Sequence, residues 1–270
     1  MRITVLGKSP AWQDAGGACS GYLIQEGEYS LLLDCGNGVF SKLRGSVDYV
    51  DVSAVLISHM HADHCLDLIP YAYALTYAPR QQPVAVGGWP GTDAPARPPL
   101  HAPAGSSEVF RQIAACWGNP ELVENAFSLT EYNAPGSLTL GPFAVNLCEV
   151  PHYTTTYAAR ITAPDGSTLT YSADCSPNDA LVDFAHDSDV MLIEATLPRP
   201  ERTGIRGHLT PREAGDHARR AGAHRVILTH YSDELDPDWT LDEGCQGFRG
   251  TVELAQEGDV YTVQHAAAPY

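Results

Sequence analysis

The sequence predicts an α/β protein. Short apolar runs rich in β-branched residues occur along most of the chain, and stretches of helical character lie between them. Hydrophobic residues make up 44% of the 270 residues and charged residues 18%, which is typical of an ordinary globular protein and excludes a disordered chain or a fibre.

The predicted strands are short, and several in the first half are joined as hairpins, for example across Glu26-Gly27-Glu28. They lie at Arg2–Leu6, Tyr22–Gln25, Tyr29–Asp34, Ala54–Ser58, Phe143–Val150, Tyr157–Thr162, Thr168–Ser172, Val190–Glu194, Val226–Thr229 and Val260–Gln264.

The clearest helix signal is that of the last predicted helix. Thr210 is suited to cap it, Pro211 fits its first turn, Glu213 completes a capping box and Gly222 follows as a stop. Helices are predicted at His64–Tyr77, Ser106–Trp117, Asn178–His186 and Pro211–Ala221.

The segment Ala78–Gly105 differs from the rest because it holds seven prolines and four glycines. We expect an irregular insertion, either a lid over a binding site or a surface excursion. Because strand patterns resume after it, residues 1–270 are predicted to form a single domain that carries this insertion.

Charge and composition limit the partners and the compartment. Sixteen basic and 33 acidic residues give a formal net charge of −17, and a surface of that sign repels nucleic acid. No run of about 18 apolar residues predicts a membrane span, and the N-terminus begins as a strand rather than a signal peptide. Seven cysteines without a CxxC pair indicate reduced thiols. A cytoplasmic protein without a membrane partner is expected.

The densest chemical signal is the pattern HxHxDH, formed by His59, His61, Asp63 and His64. It follows an apolar strand and precedes a helical stretch, so it lies in a turn where alternate side chains can converge. Imidazole and carboxylate are natural ligands of zinc and similar divalent ions. Four such ligands are too many for one tetrahedral ion with an open position, and they suit two neighbouring ions.

Three later strands each end at a residue that can bind a metal ion. His152 follows Phe143–Val150, Asp174 follows Thr168–Ser172, and His230 follows Val226–Thr229. Sites often gather at the carboxyl ends of strands in α/β folds, so these side chains are candidates to complete the metal site.

HxHxDH followed by a histidine, an aspartate and a histidine resembles the metallo-β-lactamase-fold hydrolases. The resemblance implies an αββα sandwich of two mixed β-sheets flanked by helices. It also implies two divalent metal ions, with zinc expected and manganese or iron as alternatives. In that arrangement His59, His61 and His152 bind one ion, Asp63, His64 and His230 bind the other, and Asp174 bridges them.

A finer resemblance is to the phosphodiesterase branch of that family, which includes tRNase Z and, most similar to this chain, the atypical bacterial cAMP phosphodiesterases. It implies that His208 is a catalytic group outside the metal ligands and that Glu194 orients it. The motifs that carry the resemblance are Ser20-Gly21-Tyr22-Leu23, Leu33-Asp34-Cys35-Gly36, Tyr171-Ser172-Ala173-Asp174, Ile193-Glu194-Ala195-Thr196, Gly207-His208-Leu209-Thr210 and Leu228-Thr229-His230.

The function that this resemblance implies is hydrolysis of a small phosphodiester, such as a cyclic nucleotide, by a metal-bridging hydroxide that Asp63 helps to orient. A tRNA 3′-processing enzyme is one alternative, although Asp174 comes only 22 positions after His152, too few for the long arm that tRNase Z enzymes use to grip tRNA. A hydrolase of lactones, thioesters or carboxylic esters is another alternative, because the same hydroxide attacks carbonyls. Relatives are commonly dimers, so a homodimer is an open expectation.

Overall fold

A computed structural model of the chain describes residues 1–265 and has two mixed β-sheets at its centre. In spatial order, the first sheet contains β14 (Val260–Thr262), β1 (Arg2–Gly7), β2 (Gly21–Glu26), β3 (Tyr29–Leu33), β4 (Ala54–Leu56), β5 (Pro99–Pro103) and β6 (Ser128–Tyr132). The second contains β13 (Glu253–Leu254), β12 (Val226–Thr229), β11 (Val190–Glu194), β10 (Thr168–Tyr171), β9 (Thr156–Thr162), β8 (Phe143–Val150) and β7 (Gly136–Leu140).

Each sheet is antiparallel on one side and parallel on the other. In the first sheet the pairs from β14 to β3 are antiparallel and those from β3 to β6 are parallel. In the second sheet the pairs from β7 to β10 are antiparallel and those from β10 to β13 are parallel.

Helices pack on the outer face of each sheet. Those beside the first sheet are α1 (Val39–Ser46), α2 (Ala62–Cys65), α3 (Leu68–Tyr77), α4 (Ser106–Ala115) and α5 (Leu122–Ala126). Those on the side of the second sheet are α6 (Asp179–Phe184), α7 (Pro211–Ala221) and α8 (Pro237–Phe248). None of these helices is long and apolar enough to cross a membrane.

The alternation of side chains along a strand accounts for the layers. Leu31 and Leu33 of β3 point into the core between the sheets, where they join Phe143 of the second sheet. Leu32 points to the opposite face and packs in the cluster that includes Leu68 of α3. Because both faces of the central strands are buried, these strands are almost continuously apolar. The predicted αββα fold is confirmed.

The structure differs from the predicted irregular insertion at residues 78–105 in one place, because Pro99–Pro103 form a strand. The end of this segment is β5, and its Leu100 pairs with Val55 on one side and with Leu129 on the other. The prolines at its two ends, Pro99 and Pro103, obscured the strand in the sequence. The prediction of one domain over residues 1–270 includes residues outside the described range and stays a prediction.

One predicted helix follows its local sequence signals, and another is interrupted by tertiary contacts. The capping box of Thr210 and Glu213 is present in α7, which ends at a left-handed Gly222, as predicted. The predicted helix His64–Tyr77 is instead divided into α2 and α3. Cys35 binds across this break, because its N–H donates to the carbonyl of His64 and its own carbonyl accepts from Asp67.

Candidate metal centre

The HxHxDH turn lies directly after β4, and α2 begins inside it at Ala62. The loop after β3 runs tightly against this turn, so that a Cβ at Gly36 would lie 1.8 Å from the carbonyl oxygen of Asp63. Only glycine permits this approach. Packing of the loop therefore helps to hold the turn in place.

The other three predicted ligands follow strands of the second sheet. His152 comes after β8, Asp174 after β10 and His230 after β12. Ala173 and His230 have left-handed backbone conformations, with φ of 51° and 53°, so the chain bends sharply where β10 and β12 end. These bends direct the ligand side chains to the same edge of the fold as the HxHxDH turn.

The structure brings all seven predicted ligands together, in two groups that share Asp174. Within each group the ligand atoms lie within 4.8 Å of one another. The first group is His59, His61, His152 and Asp174, and the second group is Asp63, His64, Asp174 and His230.

Buried atoms without partners indicate that these groups fit divalent cations. Within residues 1–265, Nε2 of His59, Nε2 of His64 and Oδ1 of Asp174 are buried and have no hydrogen-bond partner. Such atoms are costly unless something binds them. Burial and the neighbouring His64 lower the pKa of His59, which favours the neutral imidazole that a metal needs.

The carboxylates are held in their charged form. Burial tends to raise the pKa of Asp63, but a hydrogen bond from His230 and the charge of His64 outweigh it and lower the value to about 2. Burial likewise opposes ionisation of Asp174, and the surrounding histidines, His230 first, lower its pKa well below the usual range. Imidazoles combined with charged carboxylates form a donor set suited to zinc, manganese or iron.

Asp34 holds the predicted ligand His64 in place through a hydrogen bond. The sequence predicted no role for Asp34. Its carboxylate accepts hydrogen bonds from the backbone N–H of Ser58 (2.7 Å), the hydroxyl of Ser58 (2.8 Å), the hydroxyl of Tyr171 (2.9 Å) and Nδ1 of His64 (2.8 Å). The motif Leu33-Asp34-Cys35-Gly36 was the available signal. Because the bond to Nδ1 fixes the ring of His64, Nε2 is left free to bind metal.

The substitution Asp34→Asn is expected to weaken metal binding by roughly 10- to 100-fold. An asparagine tolerates the left-handed conformation at this position (φ 57°), but its amide nitrogen cannot accept the hydrogen bonds that the carboxylate accepts. Metal affinity measured by competition with a chromogenic chelator would test this. The exposed Asp51→Asn is the matched control, and equal affinities for the two variants would contradict the supporting role.

His64 is expected to lose a proton when the chain binds a metal ion. Burial disfavours a charged His64, but the carboxylates of Asp174 and Asp34 outweigh burial and raise its pKa well above the usual value. The raised pKa favours a second proton on His64 in the metal-free chain, and that proton must leave when a cation binds. Calorimetric titration with Zn²⁺ in buffers of different ionisation enthalpy should show release of about one proton per chain from this residue, and weaker binding as the pH falls. A binding enthalpy independent of the buffer would refute this.

His208 and Glu194 lie beside the two groups. Glu194 ends β11 and is almost fully buried, and its Oε1 accepts a hydrogen bond from Nδ1 of His208 at 3.0 Å. His208 Nδ1 also lies 3.9 Å from Oδ2 of Asp174. Burial opposes the charged imidazolium, but Glu194 outweighs it and raises the pKa of His208 to about 9.

A cleft of about 370 Å³, here called the metal cleft, opens onto both groups. His61, Asp63, Asp174, His208 and His230 reach its wall. A small substrate in this cleft would therefore touch the metal ligands and His208 together.

Comparison with known proteins places this architecture in a family. The family described as "Beta-lactamase superfamily domain" matches residues 29–231. The "Probable metallo-hydrolase YhfI" of Bacillus subtilis is 33% identical over 262 residues, which cover 97% of this chain and 99% of that protein. Its crystal structure superposes with a TM-score of 0.82 at 30% identity, covering 97% of this chain and 99% of that one.

Two further similar proteins are named as a ribonuclease Z and a tRNase Z. A "Ribonuclease Z" of Myxococcus xanthus is 28% identical over 301 residues, covering 98% of this chain and 97% of that protein. The crystal structure of human tRNase Z, short form, has a TM-score of 0.73 at 20% identity, covers 98% of this chain and 100% of that one, and supports the fold alone. The resemblance inferred from the motifs is confirmed: the chain belongs to the beta-lactamase superfamily and is a metal-dependent hydrolase of the metallo-β-lactamase fold.

Proposed function

We propose that the chain is a phosphodiesterase that acts on a small phosphodiester such as a cyclic nucleotide. The observation that carries the proposal is the pair of His208 and Glu194, which presents a proton donor in the same cleft as two groups of metal ligands. Hydrolysis of a phosphodiester needs a nucleophile, neutralisation of phosphoryl charge and a proton for the departing oxygen, and the cleft has residues for each.

The two groups would hold two divalent ions, with zinc expected and manganese or iron admitted by the same donors. The first group would bind one ion and the second group the other, with Asp174 shared. When bound, such ions make water nucleophilic near neutral pH and neutralise the phosphoryl oxygens. Asp63, at the wall of the cleft, would accept a hydrogen bond from the attacking water and so orient it.

His208 would complete the reaction. Because its Nδ1 is engaged by Glu194, its Nε2 would be the ring nitrogen available to the substrate. Water that has given a proton to solvent would add to phosphorus as the bond to the departing alcohol oxygen breaks, and the proton on Nε2 would pass to that oxygen. Solvent would then return a proton to His208. Cations bound by the neighbouring ligands would lower the pKa of His208 from its raised value, which would make it a stronger general acid.

Several observations favour a small substrate over RNA. A relative named Ribonuclease Z acts, by that name, on the phosphodiesters of RNA, which supports phosphodiester chemistry. In this chain the segment between His152 and Asp174 consists of β9, β10 and short connections, so it offers no arm for gripping tRNA. The net charge of −17 also opposes binding of a polyanion.

A substrate panel would test the proposal. The chain loaded with Zn²⁺ or Mn²⁺ should hydrolyse bis(p-nitrophenyl) phosphate and cAMP, and it should leave a lactone, a thioester and a 3′-extended tRNA essentially unchanged. Cleavage of the tRNA would favour the RNA-processing alternative. Turnover of the lactone or the thioester in place of the phosphodiesters would overturn the proposal.

A further inference from the structure

Two aromatic side chains that the proposed chemistry does not use line the metal cleft. Trp12 is 52% exposed and Tyr153 is 49% exposed, although both lie beside residues that are buried. Large apolar side chains left half-exposed at the wall of a cleft are available for contact with a ligand.

Trp12 is held in position by a network on one side of the cleft. Its indole N–H donates to the hydroxyl of Ser232 at 3.2 Å. The loop that carries it is tied down by Asp14, which pairs with the buried Lys8 and accepts the backbone N–H of Asp233 at 3.0 Å. The ring is therefore positioned before any ligand arrives, which lowers the entropic cost of stacking on it.

Tyr153 is held as firmly by a different segment. Its hydroxyl donates to Glu201 at 2.7 Å, and the other carboxylate oxygen of Glu201 accepts the N–H of Gly207 at 2.9 Å. A Cβ at Gly207 would lie 2.2 Å from the tyrosine ring, so the ring rests directly on this backbone. The ring centroid is 4.9 Å from that of the predicted metal ligand His152.

The charges of the cleft limit the ligand as well. Within the part of the chain that the structure describes, no lysine or arginine lines the metal cleft, and the carboxylates of Asp63 and Asp174 reach its wall. Apart from His61 and His230, which are predicted metal ligands, His208 is the side chain of this lining that can carry positive charge. The wall therefore offers little to a second or third phosphate, whereas its aromatic faces suit a planar apolar group.

We propose that Trp12 and Tyr153 form an aromatic cradle that selects phosphodiesters bearing a planar base or aryl group and a single negative charge. The inference rests on the proposed function and deepens it, because it names the part of the substrate that lies outside the reacting centre. Stacking on Trp12 and Tyr153 would anchor the base while the phosphodiester lies against the two ligand groups.

The experiment compares two singly charged phosphodiesters, one with a base and one without, by calorimetric titration of the metal-loaded chain; they are the methyl esters of adenosine 5′-phosphate and of 1-O-methylribose 5-phosphate. Trp12→Ala should weaken binding of the nucleotide roughly 10- to 100-fold, the usual effect of losing one stacking partner, and should leave binding of the diester without a base unchanged. Trp12→Phe should retain most of the nucleotide affinity. Trp117→Ala, which removes a tryptophan of similar exposure (55%) outside the lining of the cleft, is the matched control.

The outcomes separate this inference from the proposed function. Selective loss of nucleotide binding in Trp12→Ala supports the cradle, even if the chain hydrolyses no phosphodiester. Equal effects of Trp12→Ala on both ligands, or no effect on either, overturn the cradle, and continued hydrolysis of cAMP would then leave the proposed function standing. Thermal unfolding of each variant shows whether the loop of Trp12 has kept its fold.

Discussion

Replacing Asp174 by asparagine is expected to remove bound metal and hydrolytic activity together. Asp174 belongs to both ligand groups, its side chain is buried, and its Oδ1 has no partner among residues 1–265. The asparagine preserves the shape of the side chain but removes the charge that the cations need. Because metal ions contribute several kcal/mol of charge stabilisation in such reactions, we expect hydrolysis to fall by at least about 10³-fold.

The measurement is metal content by emission spectroscopy beside the rate of bis(p-nitrophenyl) phosphate hydrolysis. Asp183→Asn, an exposed aspartate of α6, is the matched control and should behave as the unmodified chain does. Circular dichroism checks that Asp174→Asn still folds. A folded variant with full metal content and full activity would exclude Asp174 as the shared ligand.

The substitution His208→Ala is expected to spare the metal and to cut turnover by about 10²- to 10⁴-fold, the usual contribution of a positioned general acid. His208 is outside the two groups that share Asp174, so the donor set remains complete. The size of the effect should depend on the leaving group. An alcohol oxygen such as that released from cAMP needs a proton, whereas p-nitrophenolate leaves without one, so cAMP hydrolysis should fall much further than bis(p-nitrophenyl) phosphate hydrolysis.

Metal content and the two rates are measured side by side, with the exposed His186→Ala as control. His208 also lies in a third cluster with Glu194 and His230. Loss of metal in His208→Ala would therefore show that His208 acts as a ligand. An equal fall for both substrates would exclude a role in protonating the leaving group.

The residues that the structure brings together in the two groups could be singled out from the sequence because several of them follow a predicted strand. His59, His152, Asp174 and His230 come after β4, β8, β10 and β12, whose patterns are unambiguous. Their convergence required the family resemblance, since a strand pattern alone does not say which strand ends are neighbours. Asp34 and Trp12 had no predicted role, because their significance comes from contacts with residues far away along the chain, such as Tyr171 and Ser232.

Some elements could not be predicted from the sequence because their glycines or prolines weaken the local helix or strand signal. Helix α8 contains Gly244 and Gly247, which lower helix propensity, yet it packs on α7 so closely that a Cβ at Gly247 would lie 2.0 Å from the carbonyl oxygen of Arg212. Its tertiary contact favours the residues that weaken its local signal. Strand β5, bounded by prolines, is stabilised by its two neighbours in the sheet rather than by its own sequence.

The donors of the metal centre come from both sheets. The HxHxDH turn belongs to the first sheet, and His152, Asp174 and His230 belong to the second. A cation held between them would fasten the two halves of the molecule to each other, because each of the two groups draws residues from both halves. Metal binding would therefore raise the free energy of unfolding, by about 2.7 kcal/mol when free metal is a hundredfold above its dissociation constant. Removal of metal by a chelator would thus lower the thermal stability of the packing between the two sheets as well as abolish hydrolysis.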